Sequence, residues 1–515
     1  MKALRRSNAR WRLTLSRSRR GNVALRLSEL AGADMRAHPI ASDPDIAGLT
    51  ADSRAVKPGY LFAALPGSQV DGRDFIADAL TRGAAAILAP SGTGLPPQAD
   101  EIPMLDVDNP RRSLALFAGR FFNKQPRVAA AVTGTNGKTS VAWFTHHIWK
   151  RLGHRSAAVG TLGITTVSTD SAAGAGLTTA DPVTLHRELR AMAEDGVDHV
   201  VLEASSHGLE QFRLDGVQLT AGAFTNLSRD HLDHHGSMDV YRAAKLRLFD
   251  SVLPDDATAV LNADSDEFPL FSSIAHARGL QVIGYGRTAD EIRIEQIEAT
   301  PHGQRLSLNV LNKAYEVELN LPGIFQARNA LCALGLAIAC GDDIDAVIAL
   351  LPELQSPPGR LELVAHAENG APIYVDYAHT PDALASLLAA LRPHTSNELL
   401  VVFGCGGDRD KGKRPQMGAV ARDLADQVYV TDDNPRGEEP ASIRQEILAN
   451  CPDAIEIGDR AEAIKQAIAN LAKDDVLVIA GKGHETGQIV GDQVLPFEDA
   501  EVARAVADAM EGRSQ

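Results

Sequence analysis

A short glycine-rich segment, TGTNGKTS, contains the residues whose types and spacing point most clearly to chemistry. Gly134 and Gly137 allow a tight turn whose N–H groups can face phosphate oxygens, and Lys138 adds a positive charge. The Thr139 hydroxyl is a candidate ligand for the magnesium ion that accompanies ATP. An apolar run at 128–132 precedes the segment, which predicts a strand, a phosphate-binding loop and a helix. The predicted loop residues are Gly134, Thr135, Asn136, Gly137, Lys138, Thr139 and Ser140.

The segment departs from the usual phosphate-loop pattern GxxxxGK[ST] at its first position. That pattern expects a glycine where this sequence has Val132. A glycine-rich turn that only caps a helix is therefore an alternative. The combination of a strand, a lysine and a hydroxyl favours a nucleotide site.

Polar residues follow several of the other apolar runs, at the positions where predicted strands end. The carboxyl ends of parallel strands face one crevice, so Glu203, His207, Asn226, Asp230 and His231 should converge on the nucleotide. A carboxylate such as Glu203 at the end of an apolar strand is costly unless it holds a cation, which favours magnesium binding over a purely structural role.

Two further features have competing interpretations. The stretch NLSRDHLDHHG places His231 beside Asp230, Asp233, His234 and His235, which resembles a zinc-binding cluster, but an ATP site favours hydrated magnesium. We therefore expect His231 to act as a ligand of a second metal ion. Lys245 lies on a predicted helix, where a lone lysine is usually solvated.

Cations are concentrated in three loops near the C-terminus, although the protein is acidic overall. This concentration indicates an anionic ligand, and Arg436 on the proline-fixed turn DDNPRG suits a planar carboxylate. The residues concerned are Arg409, Lys411, Lys413, Arg414, Arg436 and Lys482, with His484 and Glu485 following Lys482.

The elements that must position these residues alternate between strands and helices, as in a mostly parallel sheet covered by helices. We predict an α/β protein with a small N-terminal domain at 23–125, a central ATP-binding domain at 126–356 and a doubly wound C-terminal domain at 357–515. The basic segment 1–22 has no acidic residue and no apolar signal core, so it is expected to be a disordered extension.

Composition excludes several classes of protein. The net charge of -16 argues against a nucleic-acid or anionic-membrane binder, and the sequence has no apolar run of the roughly 20 residues that a membrane span needs. The four cysteines show no CxxC spacing, which fits a reducing compartment without disulfides or structural zinc.

The motifs TGTNGKTS, TTADP, EASSHGLEQFR, FTNLSRDHLDHHG, YRAAK, DYAHTPDAL, FGCGGDRDKGKRP, DNPR and GKGHE together resemble the Mur ligase family. The resemblance extends from about residue 23 to the end and covers all three predicted domains. It implies a cytoplasmic, monomeric enzyme that uses ATP and Mg²⁺ to join diaminopimelate to a UDP-muramoyl dipeptide through an acyl phosphate.

The resemblance also assigns roles to individual residues. It implies that Lys138, Glu203, His231 and Lys245 are catalytic, with Thr139, Glu203, His231 and a carbamylated Lys245 around the metal. It adds Asn329, Arg360, His379 and Asp382 to the ATP site. It places Ser53, Ser68 and Gln69 at the uridine end of the UDP-linked substrate, and Thr178, Thr179, Ser205, Gln211 and Arg213 at its sugar and peptide portion. It assigns Arg409, Asp433, Asn434, Pro435, Arg436, Gly481 and Glu485 to diaminopimelate.

One departure from the family pattern concerns the adenine end of the nucleotide. The family often has an asparagine where this sequence has Gln326, although Asn329 is present. Alternatives within the enzyme class are a lysine-adding relative and a folylpolyglutamate synthase. From other classes, the alternatives are an ATPase that drives movement or assembly and a non-catalytic nucleotide-binding scaffold.

Overall fold

The structure is a computed structural model that describes residues 24–511 except for 33–41, 68–69, 96–100, 167–168, 174–177 and 301–302. The basic segment 1–22 and two residues expected in the uridine site, Ser68 and Gln69, lie outside the described residues. The chain separates into two compact units, one ending at Asn123 and the other beginning at Lys124.

The first unit is a small α/β domain built on a parallel sheet with the strand order β3-β4-β5-β6. Strands β1 and β2 form a separate antiparallel pair. The elements are β1 (Leu25–Arg26), α1 (Leu27–Ala31), β2 (Asp45–Ile46), β3 (Gly48–Thr50), β4 (Tyr60–Ala63), α2 (Ile76–Thr81), β5 (Ala86–Pro90), β6 (Met104–Val107) and α3 (Pro110–Phe122). The turn before α2 is a 3₁₀ helix at Gly72–Phe75.

The second unit begins with a large sheet whose strand order is β10-β9-β8-β11-β7-β12-β13-β14-β15-β16-β17. Its strands are β7 (Val128–Thr133), β8 (Ser156–Gly160), β9 (Gly163–Thr166), β10 (Thr169–Ala173), β11 (His199–Glu203), β12 (Ala221–Phe224), β13 (Thr258–Asn262), β14 (Gln281–Gly286), β15 (Ile292–Thr300), β16 (Gly303–Val310) and β17 (Lys313–Leu319). The neighbouring strands from β8 to β15 in this order, which are β8, β11, β7, β12, β13, β14 and β15, pair in parallel. Strands β9 and β10 at one edge and β16 and β17 at the other pair in antiparallel fashion.

Helices cover both faces of this sheet. They are α4 (Lys138–Arg151), α5 (Pro182–Glu194), α6 (Ser206–Glu210), α7 (Leu232–His235), α8 (Met238–Arg247), α9 (Phe268–Ala277), α10 (Ile324–Ala339) and α11 (Ile344–Leu350), with a π-helical turn at Leu248–Val252 after α8. On β7, Val132 packs in the core formed with α4 and α10, while Ala131 packs in the core formed with α5. Burial on both faces explains why this strand is a continuous apolar run.

Strand β7 lies at the centre of the sheet, with β11 on one side and β12 on the other. Glu203 at the end of β11 is paired in register with Val132, and Phe224 at the end of β12 is paired with Thr133. The residues that follow β11 and β12 therefore flank the turn at Gly134, as the strand-end prediction required.

The remainder of the second unit forms another sheet, with the order β18-β19-β23-β20-β21-β22, in which β18 alone pairs antiparallel. The strands are β18 (Glu362–His366), β19 (Pro372–Asp376), β20 (Leu399–Phe403), β21 (Gln427–Val430), β22 (Ile455–Glu456) and β23 (Val476–Ala480), followed by a hairpin of β24 (Gly487–Val490) and β25 (Gln493–Pro496). The helices are α12 (Pro381–Leu391), α13 (Lys413–Leu424), α14 (Pro440–Leu448), α15 (Arg460–Ala469) and α16 (Asp499–Glu511).

The α/β fold with a parallel-rich central sheet and a further doubly wound sheet is as predicted. The last strand of the central sheet ends at Leu319, and the first strand of the next sheet starts at Glu362. The predicted domain boundary at 356 lies between these two strands and stays a prediction. The strand that starts at His199 ends at Glu203, as predicted, and His207 lies on the following helix α6. One local prediction was wrong, because Lys413 and Arg414 belong to helix α13 instead of the preceding loop.

Candidate active site

The turn between β7 and α4 has the backbone that its glycines allow. Gly134 and Gly137 have φ values of 150° and 88°. A Cβ atom on Gly134 would lie 1.9 Å from the hydroxyl oxygen of Thr225, so no larger residue fits there without movement. The Asn136 N–H donates to Asn226 Oδ1 at 3.0 Å, which ties the turn to the loop after β12.

Lys138 begins helix α4, and its ammonium group folds back over the turn. Its Nζ donates to the carbonyl oxygens of Gly134 and Thr135, both at 2.9 Å. Loss of solvent around this group lowers the pKa of Lys138, while the negative charge of Glu203 opposes that shift and Arg360 adds to it. A cation, a helix N-terminus and a turn of backbone amides thus meet at one point, which is the arrangement that binds phosphate.

Glu203 is buried and accepts hydrogen bonds from both sides. The Thr139 hydroxyl donates to Glu203 Oε2 at 3.2 Å. The backbone N–H of Thr161 donates to Oε1 at 2.9 Å, and the Thr161 hydroxyl donates to Oε2 at 3.1 Å. The predicted pairing of Thr139 with Glu203 is therefore present, and Thr161 is a contact that the sequence did not reveal.

The position of Glu203 depends on a glycine opposite it. A Cβ atom on Gly160 would lie 2.1 Å from Glu203 Oε1. We expect Gly160→Ala to displace the carboxylate and to lower kcat by about 10-fold or more, because a small misplacement of a charged group is costly in catalysis. Steady-state kinetics on the purified variant measure this.

A matched control for that variant is Gly94→Ala, since no atom lies within 4 Å of the added methyl group and, as at Gly160, φ is outside the left-handed region. Unchanged kcat in Gly160→Ala, with the control also unchanged, would contradict a catalytic role for the Glu203 position.

Lys245 is fully buried, which overturns the sequence-based interpretation of a solvated helical lysine. Its Nζ donates to the carbonyl oxygen of Gly134 at 2.7 Å and lies 4.4 Å from the ring centroid of Tyr241. Burial and the neighbouring Lys138 hold the pKa of Lys245 well below its usual value. Two lysine amines thus donate to the same carbonyl, an arrangement that disfavours two positive charges.

His231 lies at the N-terminus of helix α7 in a left-handed backbone conformation, with φ of 52°. Its imidazole is half exposed, and the Nε2 atom is 3.5 Å from Asp230 Oδ2. The ring contacts His207 at 5.1 Å and Tyr241 at 6.2 Å between centroids. Because Tyr241 also reaches the Thr135 hydroxyl at 3.1 Å, His231 lies on the side of the turn that faces Lys245.

The residues assigned to the sugar and peptide part of the substrate form a hydrogen-bonded chain next to Glu203. The Thr178 hydroxyl is 3.2 Å from that of Thr161. The Thr179 hydroxyl is 3.0 Å from the Ser205 hydroxyl, which caps helix α6. Arg213 donates to the Thr179 carbonyl and, at 2.8 Å, to Gln211 Oε1, so this whole predicted set is contiguous.

In the first unit, Ser53 is buried at the start of a 3₁₀ turn, and the adjacent Asp52 accepts from both the backbone and the guanidinium of Arg54. The pairing of Asp52 with Arg54 shapes this loop. Its role in holding uridine stays a prediction.

Helix α10 brings two polar residues to the phosphate loop. A Cβ atom on Gly137 would lie 2.5 Å from Asn329 Oδ1, so Asn329 packs directly on the turn. Gln326, where the family often has asparagine, is fully buried and donates to the Ser356 hydroxyl and to the Arg360 carbonyl at 3.2 and 3.3 Å. Gln326 thus connects helix α10 to the segment before β18.

Arg360, His379 and Asp382 were expected to reach ATP from the third domain. The guanidinium of Arg360 stacks on Tyr377 at 4.4 Å, and its charge affects Lys138. His379 is exposed and its backbone carbonyl accepts from Lys413 Nζ at 2.8 Å. Asp382 is exposed in the first turn of α12. The structure therefore brings Arg360 towards the phosphate loop, whereas the hydrogen bonds of His379 and Asp382 given by the described residues stay within the C-terminal sheet and its helices.

The residues assigned to diaminopimelate surround the ends of β21 and β23. Gly481 has a φ of 115°, and a Cβ atom there would lie 2.8 Å from Asp433 Oδ2. Asn434 Nδ2 donates to Glu485 Oε2 at 2.8 Å. Lys482, fully buried, donates to the same Glu485 oxygen at 3.0 Å and to the Gly487 carbonyl at 2.6 Å, so it positions this loop.

Arg436 adopts a left-handed conformation with φ of 51°, directly after the buried Pro435. Its Nη1 donates to the carbonyl of Gly407 at 2.9 Å, and its backbone N–H donates to Ile489 on β24 at 3.0 Å. Arg409 is exposed on the neighbouring loop. Both arginines lie beside Gly406, since a Cβ atom there would be 2.7 Å from Arg436 Nη1 and 3.8 Å from Arg409 Cγ.

Not all the cations of this region are available to a ligand. Arg414 is fully buried and pairs with Glu438 at 2.8 Å and with Glu446 at 3.0 Å, and Lys411 also pairs with Glu438 at 3.0 Å. The sequence-based interpretation of the whole GDRDKGKRP cluster as anion-binding was therefore too broad. Glu438, in the loop before α14, and Glu446, on α14, form ion pairs with these cations.

The donor set at the phosphate loop fits magnesium. Thr139 Oγ1 and Glu203 Oε2 are oxygen atoms within hydrogen-bonding distance of each other, beside the lysine that would face a triphosphate. Hard oxygen donors from a hydroxyl and a carboxylate are those that Mg²⁺ prefers when it binds together with substrate phosphates.

Three family models match the chain between residues 45 and 483. They are described as the Mur ligase family catalytic domain at 45–122, the Mur ligase middle domain at 132–337 and the Mur ligase glutamate ligase domain at 359–483. The first match lies within the first unit, and the other two lie within the second.

Two similar proteins bear the name UDP-N-acetylmuramoyl-L-alanyl-D-glutamate–2,6-diaminopimelate ligase. The protein from Caulobacter vibrioides is 51% identical over 92% of this chain and 98% of its own length. The protein from Bradyrhizobium diazoefficiens is 51% identical over 95% of this chain and 100% of its own length. A solved structure described by the same name has a TM-score of 0.69 and 34% identity, covering 90% of this chain and 95% of its own.

Proposed function

Because the chain belongs to the Mur ligase family, we propose that it is an ATP-dependent ligase of peptidoglycan precursor synthesis which adds meso-diaminopimelate to UDP-N-acetylmuramoyl-L-alanyl-D-glutamate. The observation that carries the proposal is the meeting of Lys138, Thr139, Glu203 and buried Lys245 at the Gly134 turn. This arrangement suits γ-phosphoryl transfer to a carboxylate.

The reaction needs ATP because a carboxylate is a poor electrophile in water. An oxygen of the terminal D-glutamate carboxylate attacks the γ-phosphorus, the bond to the β-phosphate oxygen breaks, and ADP leaves. The resulting acyl phosphate is attacked by a free amine of diaminopimelate. The amide bond forms, the amine loses a proton, and inorganic phosphate departs with the former carboxylate oxygen.

Lys138 and the amides of residues 134–139 offset the negative charge that accumulates on the phosphate oxygens. Thr139, Glu203 and His231 would hold magnesium, which when bound neutralises charge on the phosphates. Arg360, whose guanidinium lies close enough to affect Lys138, brings a further positive charge from the segment before β18. Since water would hydrolyse an acyl phosphate, we expect the C-terminal part to close over the substrates.

We propose that Lys245 acts as a carbamate. Carbon dioxide adds only to a neutral amine, and burial together with Lys138 lowers the pKa of Lys245 towards that state. Lys138 and Lys245 both lie at the Gly134 carbonyl. Carbamylation would replace the positive charge of Lys245 by a negative charge beside Lys138. This exchange turns a repulsive pair into an attractive one and supplies a further oxygen ligand for magnesium.

Selection of diaminopimelate requires recognition of its second carboxylate, which lysine lacks. Asp433, Asn434 and Glu485 offer carboxylate and amide groups that can receive an ammonium group, and Arg436 lies on the same loop as Asn434. A guanidinium binds a carboxylate through two parallel hydrogen bonds, so Arg436 is the residue proposed to contact the distal carboxylate.

Arg436→Ala should raise the KM for diaminopimelate by about 30-fold or more and leave the KM for ATP nearly unchanged. Removal of one partner from a charged hydrogen-bonded pair costs about 2 kcal/mol or more, which corresponds to this factor. Initial rates measured against each substrate in turn give both constants.

Arg422→Ala is a suitable control, because Arg422 is an exposed arginine of α13 that pairs with Asp423. A wild-type KM for diaminopimelate in Arg436→Ala would show that another group recognises the distal carboxylate.

A phosphate-release assay tests the proposed reaction itself. The protein is supplied with ATP, magnesium, UDP-muramoyl dipeptide and one amino acid from a panel that includes meso-diaminopimelate and L-lysine. We expect phosphate release only when the dipeptide and diaminopimelate are both present. Release without an amino acid would indicate an ATPase, and preference for lysine would indicate the lysine-adding specificity.

We also propose that the protein acts in the cytoplasm as a monomer. Its cysteines are free, and Cys332, Cys405 and Cys451 are buried, which fits a reducing compartment. Among the described residues, no helix has both the length and the apolar character that crossing a bilayer requires. Sedimentation analysis of the full chain tests the monomer.

A further inference from the structure

Three histidines from two helices meet beside the phosphate loop. They are His207 on α6 and His234 and His235 on α7, and one ring nitrogen of each lies within 4.8 Å of one ring nitrogen of the others. The ring of His207 lies 4.0 Å from that of His234 and 5.3 Å from that of His235. On a tetrahedral zinc ion, ligand nitrogens would be about 3.3 Å apart. Side-chain movements of about 1 Å would therefore bring the three ring nitrogens to the distances that zinc requires.

A carboxylate completes a set of four donors. Glu210 Oε2 is 2.7 Å from His234 Nε2 and 3.6 Å from His235 Nδ1. Three imidazole nitrogens and one carboxylate oxygen form a set that zinc accepts in proteins. Such a set differs from the oxygen-rich surroundings of Thr139 and Glu203, which suit magnesium.

The orientation of His235 is the second observation that points to a ligand. Its side chain is fully buried, and its Nε2 lies 3.0 Å from the hydroxyl of Ser206, which is itself buried. Its Nδ1 is buried and makes no hydrogen bond within the described part of the chain. When Nε2–H donates to Ser206, the lone pair of Nδ1 faces Glu210 and His234, which is how an outer hydrogen bond orients a metal-binding imidazole.

We propose that His207, Glu210, His234 and His235 form a binding site for a zinc-class divalent cation that joins helix α6 to helix α7. The site is distinct from the residues proposed to hold the nucleotide-bound magnesium. Its occupancy fixes the start of α7, where His231 lies in a left-handed conformation. The site therefore couples a transition metal to the position of a residue at the catalytic loop.

A second group of potential ligands in the described residues lacks this arrangement. His154, Asp198 and His199 also lie close together, but the two rings are stacked at 3.9 Å. Their nitrogens are already used: His154 Nε2 contacts Asp342 at 2.8 Å, and His199 Nδ1 contacts Asp198 at 2.7 Å. Unlike His235, neither of these two histidines has a buried ring nitrogen without a hydrogen-bond partner among the described residues, so this group is a structural hydrogen-bond network.

Cobalt titration of the full-length protein tests the site directly. The protein is freed of metal with a chelator, dialysed into a buffer with excess Mg²⁺ to saturate the oxygen site, and titrated with Co²⁺. We expect one equivalent to produce the intense visible absorption of tetrahedral cobalt, and Zn²⁺ to abolish it by displacement. Absence of a tetrahedral spectrum would overturn the proposal.

Two ligand variants and one control locate the ion. His234→Phe and Glu210→Gln change side chains that are partly exposed. Each should weaken Co²⁺ binding by about 10-fold or more, since even changes to residues that only support metal ligands lower metal affinity by about this factor. His276→Phe, an exposed histidine on α9, should bind as the unchanged protein does. Thermal melting checks the fold of each variant, and wild-type Co²⁺ binding in Glu210→Gln and His234→Phe would overturn the assignment.

Discussion

Replacement of Lys138 by alanine is expected to lower kcat by about 10²–10³-fold, the loss typical when one preorganised charge-stabilising donor is removed. Lys138 Nζ lies over the Gly134 turn, where it can follow charge from the γ-phosphate to the departing β-phosphate oxygen. No other lysine of the described site except Lys245 contacts this turn, and Lys245 is proposed to be a carbamate. Single-turnover measurements of phosphate release give the effect on the chemical step.

Lys473→Ala is the matched control, because this lysine is exposed in the C-terminal sheet region and lies far along the chain from the turn. Its kcat should equal that of the unchanged protein. Thermal melting of Lys138→Ala separates loss of catalysis from loss of fold. A folded variant that retains near-normal kcat would rule out phosphoryl transfer at this turn.

Lys245→Ala should show a comparable loss, about 10² or more in kcat, and should be partly restored by a small carboxylate such as acetate. The added carboxylate would occupy the space of the missing side chain and provide the anion beside Lys138. Lys245→Arg should not be active, since a guanidinium neither becomes neutral nor forms a carbamate. Activity of the unchanged protein should fall when dissolved carbon dioxide is removed.

The pH dependence follows from the lowered pKa of Lys245. Neutral amine is present above that pKa and is lost as the pH falls through it, so carbamylation by ¹³CO₂ should decline towards acid pH. Carbon-13 NMR of the labelled protein reports the carbamate, and Lys465→Ala, which changes an exposed lysine of helix α15, provides a control that keeps the signal. A wild-type rate in Lys245→Ala without added carboxylate would contradict the carbamate role.

Much of the site could be predicted because parallel strands place their carboxyl ends at one edge. The apolar runs of β7 and β11 and the polar residues after them were sufficient to bring Thr139 near Glu203. The turn glycines were equally clear, since positive φ and close packing at Gly134 and Gly137 exclude side chains.

What the sequence did not reveal depends on contacts between residues far apart in the chain. Lys245 looks like a solvated helical lysine until α8 is packed against the turn 111 positions earlier. Arg414 looks like a free loop cation until α14 supplies Glu446. Thr161 and Gly160 hold Glu203 from an adjoining strand, a relation that no local pattern encodes.

Thr179 and Glu203, which are 24 positions apart in the chain, illustrate the same limit in the substrate-binding region. The motif match assigned Thr179, Ser205 and Arg213 separately, whereas the structure shows one hydrogen-bonded chain that ends at the Glu203 carbonyl. Substrate contacts and the proposed magnesium ligands are therefore mechanically connected through β11 and α6.

The central claim is that the substrate carboxylate is activated by phosphoryl transfer before it meets the amine. UDP-muramoyl dipeptide labelled with ¹⁸O in the terminal D-glutamate carboxylate tests this, with mass analysis of the phosphate released during turnover. The account predicts one labelled oxygen in each phosphate molecule formed from fully labelled substrate. Phosphate that carries no label, while the amide product accumulates, would contradict it.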